Sequence, residues 1–143
     1  MLQNKIITAL PRIEEWLTAL EKNAPLYMSA DIRDAGFKVA SIDANLYPAG
    51  FNNLDPTSHG LATEYLKAAL SHNSIQPPAR LLLVAEEHTR NLYYLENIHV
   101  LRNLLENAGF TVTITTAFEL EGALYSNGET HLQSASGSIV SLL

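Results

Sequence analysis

The chain contains no cysteine. That excludes a disulfide framework and any thiolate metal site, and it neither requires nor excludes an oxidising compartment. Basic residues are scarce too. Nine lysines and arginines are scattered through 143 residues, and none follows Arg102. A nucleic-acid binder needs a basic stripe to displace phosphate counterions, and none is visible. Fifteen acidic residues set the formal net charge at −6. Long hydrophobic runs are also missing. Apolar stretches last only a few residues, far short of the roughly 20 that span a bilayer. Met1 to Trp16 does not read as a secretory signal, because its apolar part is short and acidic residues follow at once. These absences set the expectation of a soluble cytoplasmic protein with no nucleic-acid or membrane partner.

What is present is a globular composition, with 47% apolar and 17% charged residues. A domain of this length buries about 70% of its unfolded surface and folds without staples. Ile6, Ile7, Leu10, Ile13, Leu17 and Leu20 recur at helical spacing, which predicts a helix over about 2–23. Pro11 should kink it or start a second helix. Two strands are expected at Tyr27–Ile32 and Lys38–Ala44, with a turn at 33–36, and then an irregular loop over 45–56. Asp55-Pro56 opens a further helix, because Asp accepts from free N–H groups and Pro suits the first helical position. Arg80–Ala85 reads as a buried strand. A polar loop over Glu86–Arg90 and then a helix to Ala108 follow, with Gly109 as the helix stop, and Phe110–Thr115 is a strand. That strand–helix–strand unit calls for a parallel pair with a right-handed crossover. A hairpin around Asn127-Gly128 and an apolar strand near the C-terminus complete the reading. An end on such a strand suggests a sequence that has been cut.

Chemistry concentrates in two places. The first is Tyr27–Leu54, where Asp31, Arg33, Lys38, Asp43 and Asn45 lie on or beside strands and Asn52-Asn53 sit in a loop. Buried charges need partners, and strand ends in α/β sheets often present ligand groups. Arg33 and Lys38 suit a carboxylate or phosphate, and Asp31 and Asp43 an amino group or a hard cation. On composition alone, ordinary turn residues and surface ion pairs account for this stretch more simply. The second place is Glu86-Glu87-His88-Thr89-Arg90-Asn91 with Tyr94, at a strand end and a helix start. His88 could serve as an acid or base there. Solvated charges and a helix cap are the plainer account. His59, His72, His99 and His131 read as structural. No GxGxxG, GxxxxGK[ST], GxSxG or EF-hand pattern occurs, and no residue stands out as a metal ligand or as catalytic.

Ser29 to Lys38 followed by Asp43 to Leu54 resembles the signature of a proteobacterial glutamate–cysteine ligase family of ATP-grasp-like type, and Glu86–Asn91 with Tyr94 resembles a second motif of it. Tyr47 stands where Phe is expected. The resemblance implies a Rossmann-like α/β (pre-ATP-grasp) N-terminal domain, with a mixed, partly parallel sheet flanked by helices. Residues 1–116 would form the substrate-binding domain, and 117–143 would begin a truncated hairpin region. It implies the ATP- and Mg²⁺-dependent joining of glutamate and cysteine, in which ATP phosphorylates the γ-carboxylate of glutamate and the cysteine amine attacks. Family members are about three times longer, so the nucleotide-grasping lobes would lie beyond Leu143 and this piece alone would be inactive. On that reading Asp31, Arg33, Lys38, Asp43, Asn45, Asn52 and Asn53 form a substrate-facing wall, and Glu87, His88, Arg90 and Asn91 a neighbouring one. Two other readings stay open at this point. One is a non-catalytic small-molecule-binding domain, and the other an interaction protein that forms a homo-oligomer through its apolar C-terminal segment.

Overall fold

The computed structural model describes residues 2–20, 25–46, 50–88, 90–117, 124–126 and 129–143. Helix α1 spans Leu2–Leu20 with Pro11 inside it and no break there. Its expected end near residue 23 lies outside the described residues. Strands β1 (Ser29–Asp34) and β2 (Val39–Asn45) form an antiparallel hairpin, with a register shift after Asp31. The first strand starts two residues later than its sequence predicts, and the turn moves with it. Two local bonds explain the shift. Asp34 Oδ1 accepts from Gly36 N at 2.7 Å, and Ala35 N donates to Lys38 O at 3.0 Å. Arg33 and Asp34 are therefore strand residues rather than turn residues.

A 3-10 turn at Phe51–Asn53 follows, then a second at Pro56–Ser58 that leads into α2 (His59–His72). Asp55 caps this start as expected. Its Oδ1 accepts from Thr57 Oγ1 at 2.6 Å and Thr57 N at 2.8 Å, and those bonds hold its carboxyl below the usual carboxylate range. Strand β3 (Arg80–Ala85) pairs in parallel with β4 (Thr111–Thr116), and α3 (Leu92–Asn107) connects them. The βαβ unit is thus present, but β3 is not the buried strand its apolar run predicts: one face packs on α3 while Leu82 and Val84 on the other stay exposed, because no described element covers that side. Gly109 ends α3 at φ 95°, and a Cβ there would lie 3.2 Å from Pro77 Cβ. Only glycine meets both conditions without strain. Phe110 drops out of the strand because its N–H closes the helix onto Leu105 O.

Strands β5 (Leu124–Ser126), β6 (Glu129–Gln133) and β7 (Ile139–Leu142) form an antiparallel sheet in that order. The turn expected at Asn127-Gly128 lies outside the described residues. The fold is α/β, with the strands among the described residues in three small sheets, one of them parallel. The last two sheets meet where Leu143 N donates to Ile114 O and Thr115 Oγ1 donates to Leu143 O.

Helix α3 organises the core. Its second half packs Leu101, Leu104 and Leu105 with Leu66 and Leu70 of α2, Phe110, Val112 and Phe51. Its first half packs Tyr94, Leu95 and Ile98 with Ala85, Ile114, Val140 and Leu142. A polar clasp reinforces the second contact. The Glu96 carboxylate accepts from Ser134 Oγ at 2.5 Å, Ser136 Oγ at 2.6 Å and Ser136 N at 3.1 Å. Burial opposes ionisation of Glu96, but these three donors outweigh it and lower its pKa. No helix among the described residues is long and apolar enough to cross a membrane.

Candidate functional site

Gly50 begins the site. It adopts the left-handed conformation (φ 70°, ψ 35°), and a Cβ there would stand 3.3 Å from Asn53 Nδ2. This reversal turns the chain into the Phe51–Asn53 turn and buries the Phe51 ring. Tyr27 meets that ring edge-on, with centroids 5.0 Å apart. Burial pushes the Tyr27 hydroxyl up to about 12, with nearby Tyr94 adding to the effect, so the phenol stays neutral at physiological pH. Phe51 N donates to Asn97 Oδ1 at 2.5 Å, across 46 positions of sequence, and so ties the turn to α3.

The other side comes from the end of β3. Glu86 N donates to the Tyr94 hydroxyl oxygen at 2.6 Å, which folds the strand end over the first turn of α3. The His88 ring lies edge-on to Tyr94 at 6.1 Å. Asn91 caps α3, its Oδ1 accepting from Tyr93 N at 3.0 Å and Tyr94 N at 3.3 Å. Between the two sides is a cavity of about 270 Å³, lined by Gly50, Asn52, His88, Asn91, Tyr93, Tyr94 and Asn97. It sits at the carboxyl end of a parallel strand and at a helix N-terminus, where α/β folds commonly hold ligands.

The two sequence motifs therefore meet, but only in part. Of the residues expected from the sequence, Asn52, His88 and Asn91 line the cavity. Asn53 lies in the same turn, where its Oδ1 accepts from Asn52 Nδ2 at 3.3 Å. Glu87 and Arg90 are exposed on the neighbouring loop. Asp31, Arg33, Lys38, Asp43 and Asn45 belong to the hairpin and are not brought to the cavity. The hairpin packs chiefly on itself, and every one of those five is exposed. Asp31 and Asp43 do stand directly opposite each other in register. Asp43 Oδ1 accepts from Ala44 N at 2.9 Å, and its Oδ2 from Asn45 Nδ2 at 3.1 Å. Among the described residues no group of three or more His, Cys, Asp or Glu side chains could hold a metal ion. The described residues of this chain do not by themselves make a Mg²⁺ site.

Asn97 was not expected from the sequence, and neither was Tyr93. Asn97 had a signal. It lies three residues after Tyr94 and four before Leu101, on the apolar stripe of α3, where an amide is out of place.

Comparison with known proteins gives two findings. The profile of the family described as GshA, glutamate-cysteine ligase, matches residues 3–141. The crystal structure of a candidate γ-glutamylcysteine synthetase from Methylobacillus flagellatus KT superposes with a TM-score of 0.81 at 38% sequence identity. That match covers 99% of this chain and 32% of the other, so the chain spans about a third of that protein's length. A search of curated sequences found no match.

Proposed function

Because the chain belongs to the glutamate–cysteine ligase family, we propose that it is the N-terminal, amino-acid-binding part of a cytoplasmic ATP-grasp-like ligase that joins glutamate to cysteine. The cavity between Gly50–Asn52 and His88–Tyr94 carries this reading, because it draws on both sequence motifs. Its size supports an amino acid as the occupant. Sites for drug-sized ligands run from about 300 to 1,000 Å³, so a cavity of about 270 Å³ suits a small amino acid better than a nucleotide.

In such an enzyme the γ-carboxylate of glutamate would condense with the amine of cysteine, and ATP with Mg²⁺, held outside this chain, would supply the activation. This chain's own part is to bind and orient. Tyr93 and Tyr94 give apolar ring surface, while Asn52, His88 and Asn91 give polar groups that fix the direction of the ligand. Holding a reactant in a productive pose removes much of the entropic barrier to reaction. The lobes that grasp the nucleotide would belong to the rest of such an enzyme, and this chain alone is expected to make no γ-glutamylcysteine.

Calorimetry on the 143-residue chain with L-glutamate, L-cysteine and γ-glutamylcysteine tests the reading. Binding of one of them, weakened by Asn52→Ala and by His88→Ala, is the expected result. If none binds, or if both variants bind like the parent chain, the cavity is not the site.

A further inference from the structure

Asn97 is only 2% exposed, on a helix whose neighbouring buried positions are Tyr94, Ile98 and Leu101. Buried polar atoms are nearly always paired, so this one needs a reason. Half of the reason is visible. Asn97 Oδ1 accepts from Phe51 N, which also fixes the orientation of the amide, because the flipped side chain would aim an N–H group at an N–H group. The other half is open. Asn97 Nδ2 is buried and has no hydrogen-bond partner among the described residues. The same residue lines the cavity beside Tyr93 and Tyr94, with Nδ2 itself just covered, so a ligand oxygen reaches it after a small shift of the cavity wall. A buried donor on the wall of a cavity selects for an acceptor. The cavity lining also includes no carboxylate, lysine or arginine among the described residues.

We propose that Asn97 is a specificity residue of this cavity, its Nδ2 donating to a carboxylate or carbonyl oxygen of an amino-acid-sized ligand. The assignment rests on the reading that the cavity takes the amino-acid substrate. It also states which end enters. A ligand ammonium group would meet a like donor at Asn97, so the ligand's oxygen end faces α3.

Asn97→Asp reverses the polarity at one atom. One oxygen still accepts from Phe51 N, and the other replaces the donor with an acceptor. The 143-residue chain and this variant are titrated with L-glutamate and L-cysteine. They are also titrated with 4-aminobutyrate, which lacks the α-carboxylate, and 2-aminobutyrate, which lacks the γ-carboxylate. The expected result is binding at least about tenfold weaker in Asn97→Asp for every ligand that keeps the recognised oxygen, as follows from the loss of a donor to a charged acceptor. The analogue lacking that oxygen binds both proteins equally and so identifies which carboxylate is read. NMR of the parent chain with its asparagine side chains ¹⁵N-labelled gives a second readout should the variant fail to fold. The Asn97 Nδ2 protons are expected to shift and to gain exchange protection as ligand is added. Equal binding by Asn97→Asp overturns the assignment and leaves the functional reading standing, and so does an Nδ2 signal held by a long-lived water that ligand does not displace. Absence of binding by the parent chain overturns both.

Discussion

Helices α1 and α3 carry the same kind of pattern and meet opposite fates. In α3 the apolar stripe is buried almost completely, with Ile98 and Leu101 at 0% exposure. In α1, Leu10, Ile13, Leu17 and Leu20 recur just as regularly, yet each is exposed, and Trp16 is 63% exposed. The periodicity that predicts both helices says that a face wants a partner. It does not say where the partner is. Helix α3 finds partners within this chain because β3, β4 and α2 lie next to it in sequence and close around it. The hairpin after α1 shares the uncovered state, with Ile32, Phe37 and Ile42 exposed as well. Most of the Methylobacillus flagellatus protein lies outside the match to this chain, so its architecture has ample further chain for such faces to pack on.

Substitutions sharpen this comparison. Leu101→Ala is expected to cost about 2–5 kcal/mol, because it opens a cavity in the core. Leu17→Ala on the matching stripe of α1 is expected to cost less than about 0.5 kcal/mol. Denaturant melts of the two variants decide the point, and equal losses would mean that α1 is packed in solution. Next in size is the clasp between α3 and the β6–β7 loop. Glu96→Ala removes three hydrogen bonds to one carboxylate and is expected to cost about 1.5–3 kcal/mol. The folded-state pKa of Glu96 is depressed, so its contribution is full above the unfolded value and fades as pH falls through the folded one. The stability difference between parent and variant should therefore shrink below about pH 4. A gap that stays constant down to pH 2 would show that Glu96 acts through packing instead.

Smaller effects belong to the site and the hairpin. Gly50→Ala forces an L-residue into the left-handed region against Asn53, at a cost of about 1–2 kcal/mol. Ligand affinity should fall with it, since the turn lines the cavity. Asp31→Asn relieves the direct opposition of two carboxylates in the hairpin, and a gain of a few tenths of a kcal/mol is expected. That gain should vanish in 1 M salt, where exposed charges are screened. A salt-independent gain would point away from charge repulsion.

The core βαβ unit was legible because each of its signals is local. The run Arg80–Ala85, the stripe from Leu95 to Leu105 and the Gly109 stop all act within a few residues. The helix start at the second motif was legible for the same reason, since Asn91 caps the helix it precedes. The lining of the cavity could not be read fully. The charged residues of the hairpin drew attention by their number, whereas the cavity uses its uncharged tail, Gly50 and Asn52. What selects that tail is the bond from Phe51 N to Asn97 Oδ1, a contact between residues 46 apart. No local pattern announces a pairing of that range. The shift of the hairpin turn was likewise hidden in one side-chain bond, from Asp34 to Gly36.

The uncovered faces also govern how the molecule behaves as a colloid. Leu82 and Val84 add to them on the outer face of β3, where parallel strands are ordinarily covered on both sides. Exposed apolar surface of this kind drives self-association unless charge keeps the molecules apart. At neutral pH the net charge of −6 supplies that repulsion. Near the isoelectric point of about 5.2 it disappears, so turbidity should rise there well before the core itself unfolds.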